Sequence, residues 1–186
     1  MEALEGYFNK YNKMISLQKI DITKLDTDAI VNAANEGLWE GGGVCGAIFR
    51  GAGSAELTKA CQAIGGCKTG SAVITPGFNL KAKYIIHAVG PVWKDGNHHE
   101  PQDLYGCYIG SLELCRENNL HSVGFPLISA GIFGYPKDKA WRIALQACKD
   151  FLDKNGDYNL KIIFAVLDDD ILALGEKALQ EICRLI

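Results

Sequence analysis

The 186-residue chain has no Cys-x-x-Cys pair, no run of lysines and arginines, and no apolar stretch approaching the length of a membrane span. Each absence excludes something. The seven cysteines (Cys45, Cys61, Cys67, Cys107, Cys115, Cys148, Cys183) are odd in number and sit mostly in apolar stretches, so they read as reduced thiols. Lysine and arginine, 19 in all, are interspersed with 22 acids for a net charge of −3, which leaves no sequence-independent nucleic-acid surface beyond a single groove. The opening "MEALEGYFNKYNK" lacks a basic segment followed by an apolar one, and the expectation is a cytoplasmic protein without membrane attachment. Internal repeats, low-complexity tracts and linkers are also missing. With 48% apolar residues, one compact domain is expected over residues 14–186, monomeric by default. Residues 1–13, with Leu4, Tyr7, Phe8 and Tyr11 at helical spacing, are expected to form an amphipathic extension packed on it.

What is present is an alternation of β-rich runs with helix-period stretches. Strands are expected at residues 14–19, 29–34, 71–77, 83–89, 122–128 and 161–167, and helices at 43–64 (broken near Gly51–Gly53), 101–118, 137–154 and 170–185. Pro101, Pro136 and Asp170 mark helix starts, and Gly156 a stop. The third and fourth strands are close enough in sequence for a hairpin only, so the sheet is mixed. The expected fold class is α/β: three layers, α/β/α, around a mixed, mostly parallel six-stranded sheet.

Two loops carry the chemistry. "NAANEGLWEGGGVCG" (32–46) runs from a strand into a helix, and although Gly41, Gly43 and Gly46 match the spacing GxGxxG, the dinucleotide fingerprint fails. "NEGLWE" separates strand from glycines, and no acid follows in "AIGGCKTG" to hold a ribose. "GGCKTG" is not a Walker A loop, because Cys67 intervenes before Lys68. Glycines that free backbone N–H groups at a helix start still fit an anion, or simply a tight turn. The second loop, "PLISAGIFGYP" (126–136), also follows a strand and leads into a helix. Together the two loops could clamp a pyrophosphate at the carboxyl ends of the strands, with Phe133 either stacking on a sugar or base or plugging the loop.

The segments "DI" (21–22), "VNAAN" (31–35), "GGGVCGAIFRGAG" (41–53), "YIIHAVGP" (84–91) and "SAGIFGYP" (129–136) resemble the macrodomain family, closest to its MacroD-like branch, in order and through nearly the whole chain. The resemblance implies ADP-ribose as ligand, with no cofactor and no metal. It assigns the adenine amino group to Asp21, whose alternative is a helix cap, and the ring edge to the backbone of Ile22. Asn35 is implied to hold the distal ribose, with Asn32 bracing the turn. Gly43, Val44 and Cys45 cover the distal ribose and diphosphate, and Ser129, Ala130, Gly131, Ile132 and Phe133 close the opposite side. Val44 and Ile132 either meet as an apolar lid or belong to the core.

Cys45 stands where MacroD-like enzymes carry an aspartate, and Phe49 where they commonly carry a histidine. The resemblance implies that this aspartate positions or activates water, so its loss removes the carboxylate that general-base catalysis would need. A cysteine there is similar to the alphavirus macrodomains, which hydrolyse without that acid. The expected function is binding of ADP-ribose and of mono-ADP-ribosylated proteins, with metal-independent removal of mono-ADP-ribose from Asp or Glu, or deacetylation of O-acetyl-ADP-ribose. The alternatives are a non-catalytic reader, an ADP-ribose 1″-phosphate phosphatase and a thiol-dependent hydrolase unrelated to ADP-ribose, with Cys45 as the candidate nucleophile. For the last no base is evident, since His87 sits in a strand as a structural histidine. His98 and His99 fit an exposed loop, and Asp168 to Asp170 a helix cap.

Overall fold

Side chains alternate in direction along a strand, and in this chain both directions are apolar, so the sheet is covered on both faces. The computed structural model describes residues 10–184. Ile15–Lys19 (β1), Ala29–Ala33 (β2), Ala72–Pro76 (β3), Tyr84–Ala88 (β4), Ser122–Phe125 (β5) and Lys161–Val166 (β6) form a sheet in the order β1-β6-β5-β2-β4-β3. Every neighbouring pair is parallel except β3 with β4. β3 is an edge strand, which is where a sheet tolerates Pro76.

The helices are Gly43–Ala52 (α1), Ser54–Ile64 (α2), Glu100–Glu117 (α3), Lys137–Lys154 (α4) and Asp169–Arg184 (α5). Ile162, Phe164 and Val166 of β6 pack into the core shared with α3, α4 and α5. Their alternates Ile163 and Ala165 pack with Ile48, Phe49 and Leu57 of α1 and α2. The expected three-layer α/β/α fold with a mixed sheet is therefore the fold found. Residues 10–14 are helical, and Tyr11 is buried in the larger core with its hydroxyl donating to Asp153. Leu4, Tyr7 and Phe8 lie outside the described residues.

Helix boundaries follow local chemistry. Gly53, at φ +107°, separates α1 from α2: its N–H closes the first on Phe49 O at 2.9 Å, and its carbonyl accepts Leu57 N–H at 3.0 Å. The expected break is thus a single left-handed glycine. The last helix begins at Asp169, one residue before the start expected at Asp170, and the aspartate cap expected among Asp168 to Asp170 is present. The residue capping α5 is Asp168, whose Oδ1 accepts the N–H groups of Asp170 and Ile171 at 2.8 and 3.1 Å, because only a residue ahead of the first turn can reach its orphan donors.

Candidate functional site

β2 and β5 are parallel neighbours, so the loops that follow them rise from the same end of the sheet. Between these loops lies a cleft of about 380 Å³ lined by Asn35, Gly43, Val44 and Cys45 on one side and by Ser129, Gly131, Ile132 and Phe133 on the other. Ala33, Ala34, Gly41, Gly42, Pro126 and Leu127, which lie inside the same motif segments but were given no ligand role from the sequence, complete the lining. Ala130 is buried inside its loop, and Asp21, Ile22 and Asn32 do not line the cleft.

One wall is the start of α1. Its N-cap is Gly42, which offers no side-chain acceptor, and Gly43 follows at φ +57°. The first-turn N–H groups of an α-helix have no intrahelical partner, so they face the cleft as an uncapped positive end. Opposite them, Ser129 holds a left-handed φ of +65°, and its hydroxyl is buried without a hydrogen-bond partner. A left-handed, non-glycine residue on a cleft wall is backbone strain of the kind found where a loop is held in place for binding. The loop is seated against Gly90: a Cβ there would lie 2.2 Å from Ser129 Oγ, so only glycine admits this serine. Farther along, Phe133 O accepts Trp93 N–H at 2.8 Å, and Gly134, at φ +72°, turns the chain toward α4. Ile132 is 91% exposed and Val44 38%, so neither is a core residue.

Asn35 is held at both ends of its amide. Nδ2 donates to Trp39 O at 2.9 Å, and Oδ1 accepts Trp39 N–H at 3.1 Å. Each atom keeps one further hydrogen-bonding capacity, which a ligand can use. Cys45 is nearly buried, its Sγ accepting Gly41 N–H at 3.4 Å and lying 3.7 Å from Asn32 Nδ2. Asn32 lies beneath the loop and brings Nδ2 within 3.1 Å of His87 Nδ1. An amide nitrogen only donates, so Nδ1 accepts and Nε2 carries the proton toward Thr75 Oγ1 at 2.9 Å. Burial pushes His87 down from its ordinary 6.5 to about 4, and the ring stays neutral. Asn32 and His87 thus brace the site from below. Cys61, at 3.9 Å from His87 Nε2, is pushed up to about 11 by burial, with Cys45 adding to the shift.

Asp21 acts as a cap: its Oδ1 accepts Thr23 N–H at 2.9 Å and Thr23 Oγ1 at 2.7 Å. The Thr23 hydroxyl, then its amide, hold the carboxyl below its ordinary value. Ile22 packs its side chain into the core on the α1 side. Phe49 is buried there too, its ring 6.5 Å from that of His87, and adds nothing to the cleft. His98 bonds Asp95 Oδ1 at 2.9 Å, and Asp95, His98 and Glu100 bring one ligand atom each within 4.8 Å of one another. Glu100 is already occupied, with Oε2 accepting three backbone N–H groups (Lys94, Asp95, Gly96) and Oε1 that of His98. Burial alone would raise its pKa, but these donors outweigh it and hold Glu100 at about 2. That carboxylate closes the 94–98 loop.

The Macro domain family model matches residues 31–144. The chain belongs to this family. A macro domain-containing protein of Chlorobaculum tepidum is 48% identical over 169 residues, covering 90% of this chain and 96% of that one. The human ADP-ribose glycohydrolase MACROD2 is 47% identical over 170 residues, and the chain spans 39% of its length. Among solved structures, an Oceanobacillus iheyensis macrodomain with ADP superposes with a TM-score of 0.86 at 39% identity, over 91% of this macro domain and 92% of that chain. A Trypanosoma brucei macrodomain in complex with ADP-ribose follows at 0.82 and 41%, over 88% and 68%.

Proposed function

We infer that this macro domain binds ADP-ribose in the cleft and hydrolyses mono-ADP-ribosyl esters on protein Asp or Glu. The observation that carries the reading is the pairing, across one cleft, of an uncapped helix N-terminus with a facing loop held in a left-handed turn at Ser129. Relatives named as ADP-ribose glycohydrolases and a neighbour solved with ADP-ribose support it. In this reading the diphosphate lies between α1 and residues 129–133, where N–H donors offset its charge in a partly dry site. Adenine reaches toward Asp21, whose Oδ2 is left over by the cap. The distal ribose meets the spare valences of Asn35.

Catalysis then rests on placement. A water between the diphosphate and the distal ribose attacks the anomeric carbon of that ribose as its bond to the Asp or Glu carboxylate oxygen breaks. ADP-ribose and the free carboxylate are released, with the spare proton passing to solvent, while Asn35 fixes the sugar and the ligand's own phosphate orients the water. Cys45 favours a second reading, a reader that holds modified proteins intact, because the thiol supplies no carboxylate base at this position. The deciding experiment measures release of ADP-ribose from a protein mono-ADP-ribosylated on Glu or Asp, at excess enzyme, with Asn35→Ala alongside. Release that collapses in the variant supports the hydrolase. Capture of the modified protein without release makes this a reader, and no binding of ADP-ribose removes both readings.

A further inference from the structure

Beside the first cleft lies a second depression of about 550 Å³, and the two share Asn35 and Phe133 in their walls. Its lining comes from the turn after β2, the loop after β4 and the first turn of α3, segments that meet because β2 and β4 are adjacent strands. Two large apolar side chains in it face solvent: Trp39 is 64% exposed and Val92 55%.

Trp39 is anchored through its main chain. Its backbone is clamped at both ends by the Asn35 amide, and its ring lies so close over Gly37 that a Cβ there would sit 1.8 Å from Cζ3. The turn itself is pinned by Glu36, whose Oε1 accepts Thr69 N–H at 3.2 Å and Thr69 Oγ1 at 2.8 Å. A large, exposed aromatic ring on an anchored backbone beside a binding cleft is the kind of anchor that binding interfaces use. The depression also presents the carboxylates of Glu36 and Asp103 against the single lysine Lys94, while Glu100 is taken up by its loop. Two carboxylates in the walls oppose the phosphates of a nucleic acid and accept the backbone N–H groups or basic side chains of a polypeptide.

We propose that the second depression, with Trp39 and Val92, seats the polypeptide segment that carries the ADP-ribosylated residue, so that affinity for modified protein exceeds affinity for ADP-ribose alone. The proposal rests on the reading of the first cleft as the ADP-ribose site, because the modified residue leaves that cleft past Asn35. It adds a recognition surface for what is attached to the sugar.

The test compares two probes by calorimetry: free ADP-ribose, and a short peptide carrying ADP-ribose through a non-hydrolysable linkage. Wild-type protein is expected to bind the peptide conjugate about tenfold more tightly than free ADP-ribose, the gain of one anchor residue. Val92→Ser is expected to reduce that gain and leave free ADP-ribose affinity unchanged. Trp39→Ala, whose backbone still serves Asn35, is expected to bring the ratio of the two affinities toward one. Equal affinity for both probes in the wild type would overturn the proposal while leaving the ADP-ribose site intact. So would an unchanged ratio in both variants, or the same Trp39-dependent gain with an oligonucleotide conjugate in place of the peptide. Loss of free ADP-ribose binding by the wild type would overturn the underlying reading as well.

Discussion

At the scale of single residues, Asn35 and Cys45 touch the same cleft with different consequences. Asn35 spends one bond from each amide atom on Trp39 and has one left on each. With the distal ribose placed as proposed, Asn35→Ala is expected to remove a sugar contact and free the 35–39 turn, and a displacement of even an ångström lowers turnover on the order of 100-fold. Cys45 receives Gly41 N–H and borders Asn32 Nδ2 through a weak acceptor, contacts that a serine hydroxyl can also make. Cys45→Ala is expected to lose less than about tenfold in kcat, and Cys45→Ser less still, since each lost neutral hydrogen bond is worth only ~1 kcal/mol. Single-turnover release from a glutamate-modified protein checks the order of the three variants. If Cys45→Ser were inactive while binding ADP-ribose normally, the thiol would be the nucleophile and the placement mechanism would fail.

At the scale of elements, two helix starts with opposite designs separate stability from binding. α5 has the Asp168 cap, and Asp168→Ala is expected to lower unfolding free energy by ~1 kcal/mol with ADP-ribose affinity unchanged. α1 has Gly42 instead, at a φ of −87° and with open space where a Cβ would go, so an aspartate fits without strain. Gly42→Asp is expected to raise stability by a few tenths of a kcal/mol, by capping the first turn, and to abolish diphosphate binding by taking its donors and adding a negative charge. Denaturant midpoints and calorimetry on one protein sample read both effects. A variant that gains stability and still binds ADP-ribose would show that the diphosphate does not use this helix end. These elements were largely legible in the sequence because periodicity and glycine punctuation are local. The strand ends were not: β3 covers residues 72–76 where 71–77 was expected, since pairing with β4 and not propensity sets the ladder's limits. The second depression was illegible for a stronger reason. Its walls are brought together only by the neighbouring of β2 and β4, and nothing in the spacing of Trp39 and Val92 announces that they meet.

At the scale of the whole molecule, both cores end at the same sheet, and His87 is the polar group trapped between that sheet and the cleft's support. Its place in an apolar strand run made a buried structural histidine readable from sequence, but its partners Asn32 and Thr75 come from the two strands flanking β4. The consequence is global because protonation would strand a charge in the interior and break the acceptor role of Nδ1. His87 titrates near 4 in the folded protein against an ordinary 6.5, so the unfolded chain binds the extra proton first. Stability is then fully present above pH 6.5 and falls as pH drops toward 4, by roughly 3 kcal/mol over the whole window. The carboxylates held low, Glu100 among them, act in a separate range, losing their contribution only below their ordinary values near 4 to 4.5. Urea unfolding at pH 7.5 and pH 5 should therefore show a drop in the wild type that is largely missing in His87→Gln, a variant less stable at pH 7.5 but flatter in pH. Equal slopes for the two proteins would mean that the imidazole is protonated without cost, and that the pocket under the cleft admits water.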